Sequence, residues 1–138
     1  MIESYNDEGS YGNIEIYSDS VYFTTNDSVY GTFVNDSDER LKNIVADNIN
    51  LSIENIANSP IVKFTWNENS KNPNKETVHV GTIAQYWNTI LPEIVSQNKD
   101  GMYAMQYDVA ALVSSISAAK EIVALKQEIA ELKAQLNK

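Results

Sequence analysis

The sequence is short of several residue types, and each shortage narrows what the protein can do. It has no cysteine among its 138 residues, which excludes disulfides and thiolate metal sites. Its five glycines are scattered, so it has no glycine-rich phosphate-binding loop. Its one histidine, His79, belongs to no cluster with the spacing of metal ligands. We therefore expect no metal and no other cofactor.

Long apolar runs and an excess of positive charge are also missing. No apolar run approaches the roughly 20 residues that a membrane-spanning helix needs, so we expect no membrane partner. The net charge of −9 argues against a nucleic-acid partner, because such a partner usually requires a basic face. The apolar content of 43% is enough for the core of one modest domain.

The acidic charge is concentrated near the N-terminus. Residues 1–36 contain seven acidic residues and no lysine or arginine, whereas residues 37–138 contain twelve acidic and ten basic residues. Five of the eight tyrosines also precede position 37. This change in composition predicts a domain boundary at the Asp36–Ser37 bond.

The segment before this boundary has the pattern of short β-strands. Ile14 and Ile16 alternate with polar residues, and so do Val21 and Phe23. A segment of this length cannot bury a core of its own, and an isolated strand pair is marginal in water. We therefore expect these strands to pair with other copies of the chain or with a longer parent protein, of which Met1 would begin a fragment.

Residues 37–107 alternate helix and strand signals, which predicts a small α+β body. Ser37, followed by the acidic Asp38 and Glu39, predicts a helix start with Ser37 as the N-cap. The remaining pattern predicts helices over 51–57 and 83–91, a hairpin formed by 61–66 and 77–81, and a last strand over 102–107.

Residues 108–138 predict a C-terminal helix with Asp108 as its N-cap. Its distal apolar residues have the alternating spacing of a heptad seam and predict a short coiled coil: Ile122, Leu125, Ile129, Leu132 and Leu136. Charged residues flank this seam so that glutamate meets lysine across a parallel pair of helices: Glu121 and Glu128 opposite Lys126 and Lys133. An upstream stripe, offset from the seam, is predicted to face the body: Val109, Leu112, Ile116, Ala119 and Val123.

Ser37 and Lys42 stand five positions apart directly after the predicted boundary. A serine hydroxyl is a poor nucleophile until a base takes its proton, and a lysine can be that base where burial favours the neutral amine. Positions five apart do not face each other in a regular helix, so Ser37 must lie outside the helix to reach Lys42. The alternative is an ordinary N-cap serine and a solvated lysine.

Four segments from Ser37 onward carry a recognisable pattern: SDERLKNI at 37–44, VKFTWN at 62–67, HVGTIAQ at 79–85 with LPEIV at 91–95, and the helical tail that begins YDVAALV at Tyr107. With these segments, the chain resembles the C-terminal intramolecular chaperone, or auto-processing, domain of bacteriophage tail spikes and tail fibres. Endosialidases carry this domain, and it also occurs in the myelin regulatory factor.

The resemblance implies a self-cleaving homotrimer. Such domains trimerise, help an upstream β-rich stalk of the same polypeptide to fold, and then cut immediately before the motif serine. Carried over to this sequence, the scissile bond is Asp36–Ser37, the nucleophile is Ser37 and the base is Lys42. Residues 1–36 would be the end of the stalk. The protein would be the precursor of a virion tail fibre or spike, assembled in the host cytoplasm, with the cleaved domain released.

Several alternatives remain beside this interpretation. The isoleucine and leucine order of the heptad seam favours a dimer, but we expect the body and the stalk to set a trimer. His79 is interpreted as structural, with a supporting role in proton transfer as the alternative. The domain could instead be a structural trimerisation cap that never cuts. A receptor-binding tip ranks last, because we identify no carbohydrate-binding signature.

Overall fold

Two small antiparallel hairpins and three α-helices make up the fold that the computed structural model describes over residues 34–138. The predicted α+β class is therefore correct. The strand prediction for Ile14, Ile16, Val21 and Phe23 lies outside the described residues. No helix within 34–138 has the length and apolar character needed to cross a bilayer.

The first hairpin confirms the predicted strand pair, although its strands are shorter. β1 (Val62–Phe64) pairs with β2 (His79–Gly81), and the register places Phe64 opposite His79 and Val62 opposite Gly81. These four residues are half-buried on one face, as the twofold alternation of side chains in a strand requires.

The second hairpin was predicted only in part. β3 (Val95–Gln97) pairs with β4 (Tyr103–Met105), which is the predicted last strand. The turn between them closes with a hydrogen bond from Gly101 N to Asn98 O, and Gly101 has a φ of 81°, which glycine adopts without strain. The sequence pattern contains no strand signal at β3, because that strand is short and has a single apolar residue, Val95.

The two short helices lie close to their predicted positions. α1 (Ile53–Ala57) begins after Ser52, whose hydroxyl accepts a hydrogen bond from Asn55 N, and it ends before Pro60. α2 (Ala84–Ile90) is followed by a 3-10 turn at Pro92–Ile94, because proline cannot continue the hydrogen bonding of a helix interior.

The buried core connects α2, the second hairpin and the start of the C-terminal helix. Its members are Leu51, Trp87, Leu91, Ile94 and Ala110. The indole Nε1 of Trp87 donates to Thr82 Oγ1 at 3.2 Å, so the buried ring also keeps its polar atom paired.

The long helix α3 (Tyr107–Leu136) begins two residues earlier than a cap at Asp108 predicts. Its N-cap is Gln106, so the prediction of Asp108 as the cap was wrong, and Asp108 lies in the first turn. The prediction of the body-facing stripe was also largely wrong. Leu112 is 58% exposed, Ile116 47% and Val123 65%, and Ala119 is exposed as well.

Small residues form the face of α3 that meets the body. Ala110 and Ser117 are buried there, with Val109 and Val113 half-buried beside the core. Ser117 is small enough for the backbone at Leu51 to approach, and its Oγ accepts a hydrogen bond from Leu51 N at 3.1 Å. The predicted stripe rests on apolar content, whereas the close approach of the backbone at Leu51 requires a small side chain on α3.

The residues of the distal heptad seam are all exposed, from 47% at Leu125 to 84% at Leu136. A single chain gives this seam no partner to pack against within the described residues. The coiled coil and the trimer therefore stay predictions.

Replacing Ser117 with alanine is expected to destabilise the fold by about 2 kcal/mol, because Leu51 N would be left buried without an acceptor. The measurement is the free energy of unfolding in denaturant. Ser115→Ala is the matched control on the same helix, since Ser115 is exposed and its hydroxyl donates only to Ala111 O. We expect less than about 0.5 kcal/mol for the control, and equal losses in the two variants would contradict the assigned role.

Candidate active site

The segment that contains Ser37 and Lys42 folds as a single 3-10 turn, Glu39–Leu41. Leu41 N donates to Asp38 O at 3.0 Å, and Lys42 N donates to Glu39 O at 3.1 Å. The N-cap is Asp38, whose Oδ1 accepts from Arg40 N at 2.9 Å. The prediction of Ser37 as the N-cap was wrong, because the Asp38 carboxylate accepts from both the backbone and the guanidinium of Arg40.

Ser37 and Lys42 meet across this turn. Lys42 Nζ donates to Ser37 Oγ at 2.7 Å. Ser37 precedes the cap, and Lys42 follows the turn with an extended backbone, φ −118° and ψ 136°, so neither residue is inside the helical turn. The geometric requirement that Ser37 lie outside the helix to reach Lys42 is met.

Asp38 and Arg40 form a second contact within the turn. Arg40 Nη2 donates to Asp38 Oδ2 at 2.6 Å, and Nε lies 3.0 Å from Oδ1. The side-chain hydrogen bonds of Arg40, and then its backbone N–H, lower the pKa of Asp38 below its ordinary value of 3.8. A lowered carboxyl pKa means that the stabilisation is fully present above the unfolded-state pKa and is lost as the pH falls through the folded-state pKa.

The turn belongs to an exposed arm, which we define as residues 34–50. Every residue of this arm is exposed in the single chain, including the apolar Leu41, Ile44, Val45 and Ile49. Ser37 and Lys42 are exposed with it. Burial that would favour a neutral lysine is therefore not supplied by the described residues of one chain.

The arm is joined to α3 near both of its ends. Asn35 Nδ2 donates to Asp108 Oδ2 at 3.4 Å in the first turn of the helix. Immediately after the arm, the backbone N–H of Leu51 is bonded to the buried Ser117. The Asp36–Ser37 bond thus lies directly beside the first of these attachments.

His79 lies apart from the serine and lysine pair. Its ring packs with Phe64 at a centroid distance of 5.5 Å and with Trp66 at 5.9 Å. Its Nε2 is buried without a hydrogen-bond partner in residues 34–138, and no hydrogen bond described there joins His79 to Ser37 or Lys42. A supporting role in proton transfer stays a prediction. Within the same residues, no group of histidines and carboxylates has the geometry of a metal site.

The sequence interpretation missed the contact that fastens the first hairpin to α3. Tyr107 Oη accepts from Thr82 N at 3.2 Å and donates to Thr82 O at 3.4 Å. This hydroxyl lies 2.5 Å from the position that a Cβ on Gly81 would take, which explains why glycine stands there. The signal available in the sequence was that Gly81 and Tyr107 both belong to the segments that carry the resemblance.

Comparison with known protein families gives a match that starts at the proposed nucleophile. The model of a peptidase family described as chaperone of endosialidase matches residues 37–96. The match begins at Ser37 and includes Lys42, His79 and Gly81. No curated protein matches the chain.

Proposed function

Because residues 37–96 belong to the family of intramolecular chaperones of bacteriophage tail proteins, we propose that this chain trimerises, assists the folding of an upstream stalk and then releases itself by cleaving the Asp36–Ser37 bond. The stalk would be part of the same polypeptide, the precursor of a tail fibre or spike assembled in the host cytoplasm. The observation that carries the cleavage is the 2.7 Å contact between Lys42 Nζ and Ser37 Oγ.

The proposed reaction begins with proton transfer from Ser37 to Lys42. The neutral amine takes the hydroxyl proton, and Ser37 Oγ attacks the carbonyl carbon of Asp36 through a five-membered ring. The bond between that carbon and Ser37 N breaks, and the nitrogen receives the proton from the Lys42 ammonium. The acyl group is then an ester on Ser37 Oγ. Water hydrolyses this ester to a new C-terminal main-chain carboxylate at Asp36 and a free Ser37 hydroxyl.

The proposed trimer would supply what a single chain does not. The exposed apolar residues of the arm and of the distal heptad seam offer surface for neighbouring copies, and the seam is flanked by glutamates and lysines that would pair between parallel helices. Neighbouring copies would also bury the arm, and burial favours the neutral amine that the reaction needs.

The first test is the intact mass of the freshly purified chain under denaturing conditions, followed over time. We expect a species that begins at Ser37 to accumulate, with or without the 1–36 peptide, and light scattering of the same preparation under native conditions to give the mass of a trimer. A single full-length mass that persists for days would contradict autoproteolysis and favour a structural cap that stays attached. A monomer by light scattering would contradict the trimer.

A further inference from the structure

We infer that Asp38 is a positioning residue for the self-cleavage, because it closes the turn that brings Ser37 Oγ against Lys42 Nζ. The inference rests on the proposed function, since self-cleavage is its readout. It assigns no chemical step to Asp38. Its role is to hold two other side chains at the distance at which a proton can pass between them.

The first support is the position of Asp38 between the two reacting residues. Its Oδ1 accepts from Arg40 N at 2.9 Å, and its carbonyl oxygen accepts from Leu41 N at 3.0 Å. Both bonds fold the backbone over the four residues that separate Ser37 from Lys42. Without the side-chain acceptor, Arg40 N has no cap, and extended conformations that separate Ser37 from Lys42 compete with the turn.

The second support is the lack of packing around the turn. Residues 37–42 are all exposed, and no side chain of this segment belongs to the buried core of the described residues. Tertiary contacts therefore cannot set the separation of Ser37 and Lys42 in the described chain. The hydrogen bonds within the turn are what remains to set it.

The cap, rather than the ion pair, carries this effect. The Asp38–Arg40 pair is highly exposed, with 87% of the Arg40 side chain accessible, and ion pairs of this kind contribute little. The guanidinium nevertheless contacts both carboxylate oxygens, which keeps Oδ1 aligned with Arg40 N. Arg40 is thus a support for the cap.

The test compares cleavage rate and thermal stability in three variants of the full chain. Asp38→Ala removes the cap and is expected to cut about tenfold more slowly, with little change in melting temperature because no side chain of the turn belongs to the buried core of the described residues. Asp38→Asn keeps an acceptor oxygen at the same place and is expected to cut within about twofold of the wild-type rate. Ser52→Ala removes the corresponding cap of α1, so it should lower the melting temperature and leave the cleavage rate unchanged.

The outcomes separate this inference from the proposed function. If the wild-type chain is never cut, the proposed function fails. If the wild type is cut and Asp38→Ala is cut equally fast, the positioning role is overturned while the proposed function stands. If Asp38→Asn is cut as slowly as Asp38→Ala, the charge of Asp38 matters instead of the cap, and the inference is overturned. If Ser52→Ala slows the cut as much as Asp38→Ala, the effect is one of general stability, and the inference is again overturned.

Discussion

Replacing Lys42 with arginine is expected to slow cleavage at Asp36–Ser37 by at least about a hundredfold, although the positive charge beside Ser37 is kept. A guanidinium stays protonated in proteins, so it can donate to Ser37 Oγ but cannot accept the hydroxyl proton. Ser37→Ala should abolish the cut outright, because it removes the nucleophile. The measurement is the fraction of intact chain against time, by mass spectrometry under denaturing conditions.

Two further variants make this result specific. Ser37→Cys should still be cut, because a thiol is the stronger nucleophile and can form the corresponding thioester. Lys75→Arg is the matched lysine control, since Lys75 Nζ donates to the carbonyl oxygens of Asn67 and Ser70 in a loop away from the dyad, and it should leave the rate unchanged. If the Lys42→Arg chain is cut at the wild-type rate, Lys42 is not the base.

The second large effect is expected at Gly81. A methyl group there would lie 2.5 Å from Tyr107 Oη and 3.2 Å from Phe64 Cε1, so the Tyr107 hydroxyl must shift, and we expect this shift to disrupt its hydrogen bonds to Thr82. Overpacking of this kind costs up to about 3 kcal/mol, and we expect Gly81→Ala to lose about that much stability. The measurement is the free energy of unfolding in denaturant.

The close approach of Tyr107 Oη to Gly81 also predicts a second substitution that suppresses the cost of Gly81→Ala. Tyr107→Phe removes the oxygen that is closest to the added methyl group, so Gly81→Ala should cost less in the Tyr107→Phe background than in the wild type. The comparison requires all four proteins of the cycle. Equal costs of Gly81→Ala in the two backgrounds would show that the hydroxyl is not the source of the clash.

The family resemblance, rather than the spacing of the two residues, predicts the pairing of Ser37 with Lys42, and local geometry adds that Ser37 must lie outside a regular helix to reach Lys42. The spacing of the two residues excludes a shared helix face, and a capping residue between them turns the backbone. The choice of cap was wrong because both Ser37 and Asp38 are good N-caps by type. Arg40, which contacts the Asp38 carboxylate, decides between them.

The packing face of α3 could not be predicted in the same way. Apolar periodicity identified Leu112, Ile116 and Val123, yet the body meets the side that carries Ala110 and Ser117. That choice depends on where the backbone at Leu51 lies, which is a long-range fact that the pattern of one helix does not contain. The burial that the proposed reaction would require of Lys42 is of the same kind, because it would depend on surfaces outside its own turn.

The two attachments of the arm to α3 would be divided differently between the two products of the proposed cut. After cleavage, Asn35 would remain on the upstream product and Asp108 on the released one. Their 3.4 Å hydrogen bond is exposed to water, and a bond of this kind contributes only about 1 kcal/mol. The new Ser37 amine would stay with the turn, which remains anchored to α3 through Leu51 and Ser117. Within residues 34–138, that weak bond is the described link between the two products, so we expect them to separate readily once the ester is hydrolysed.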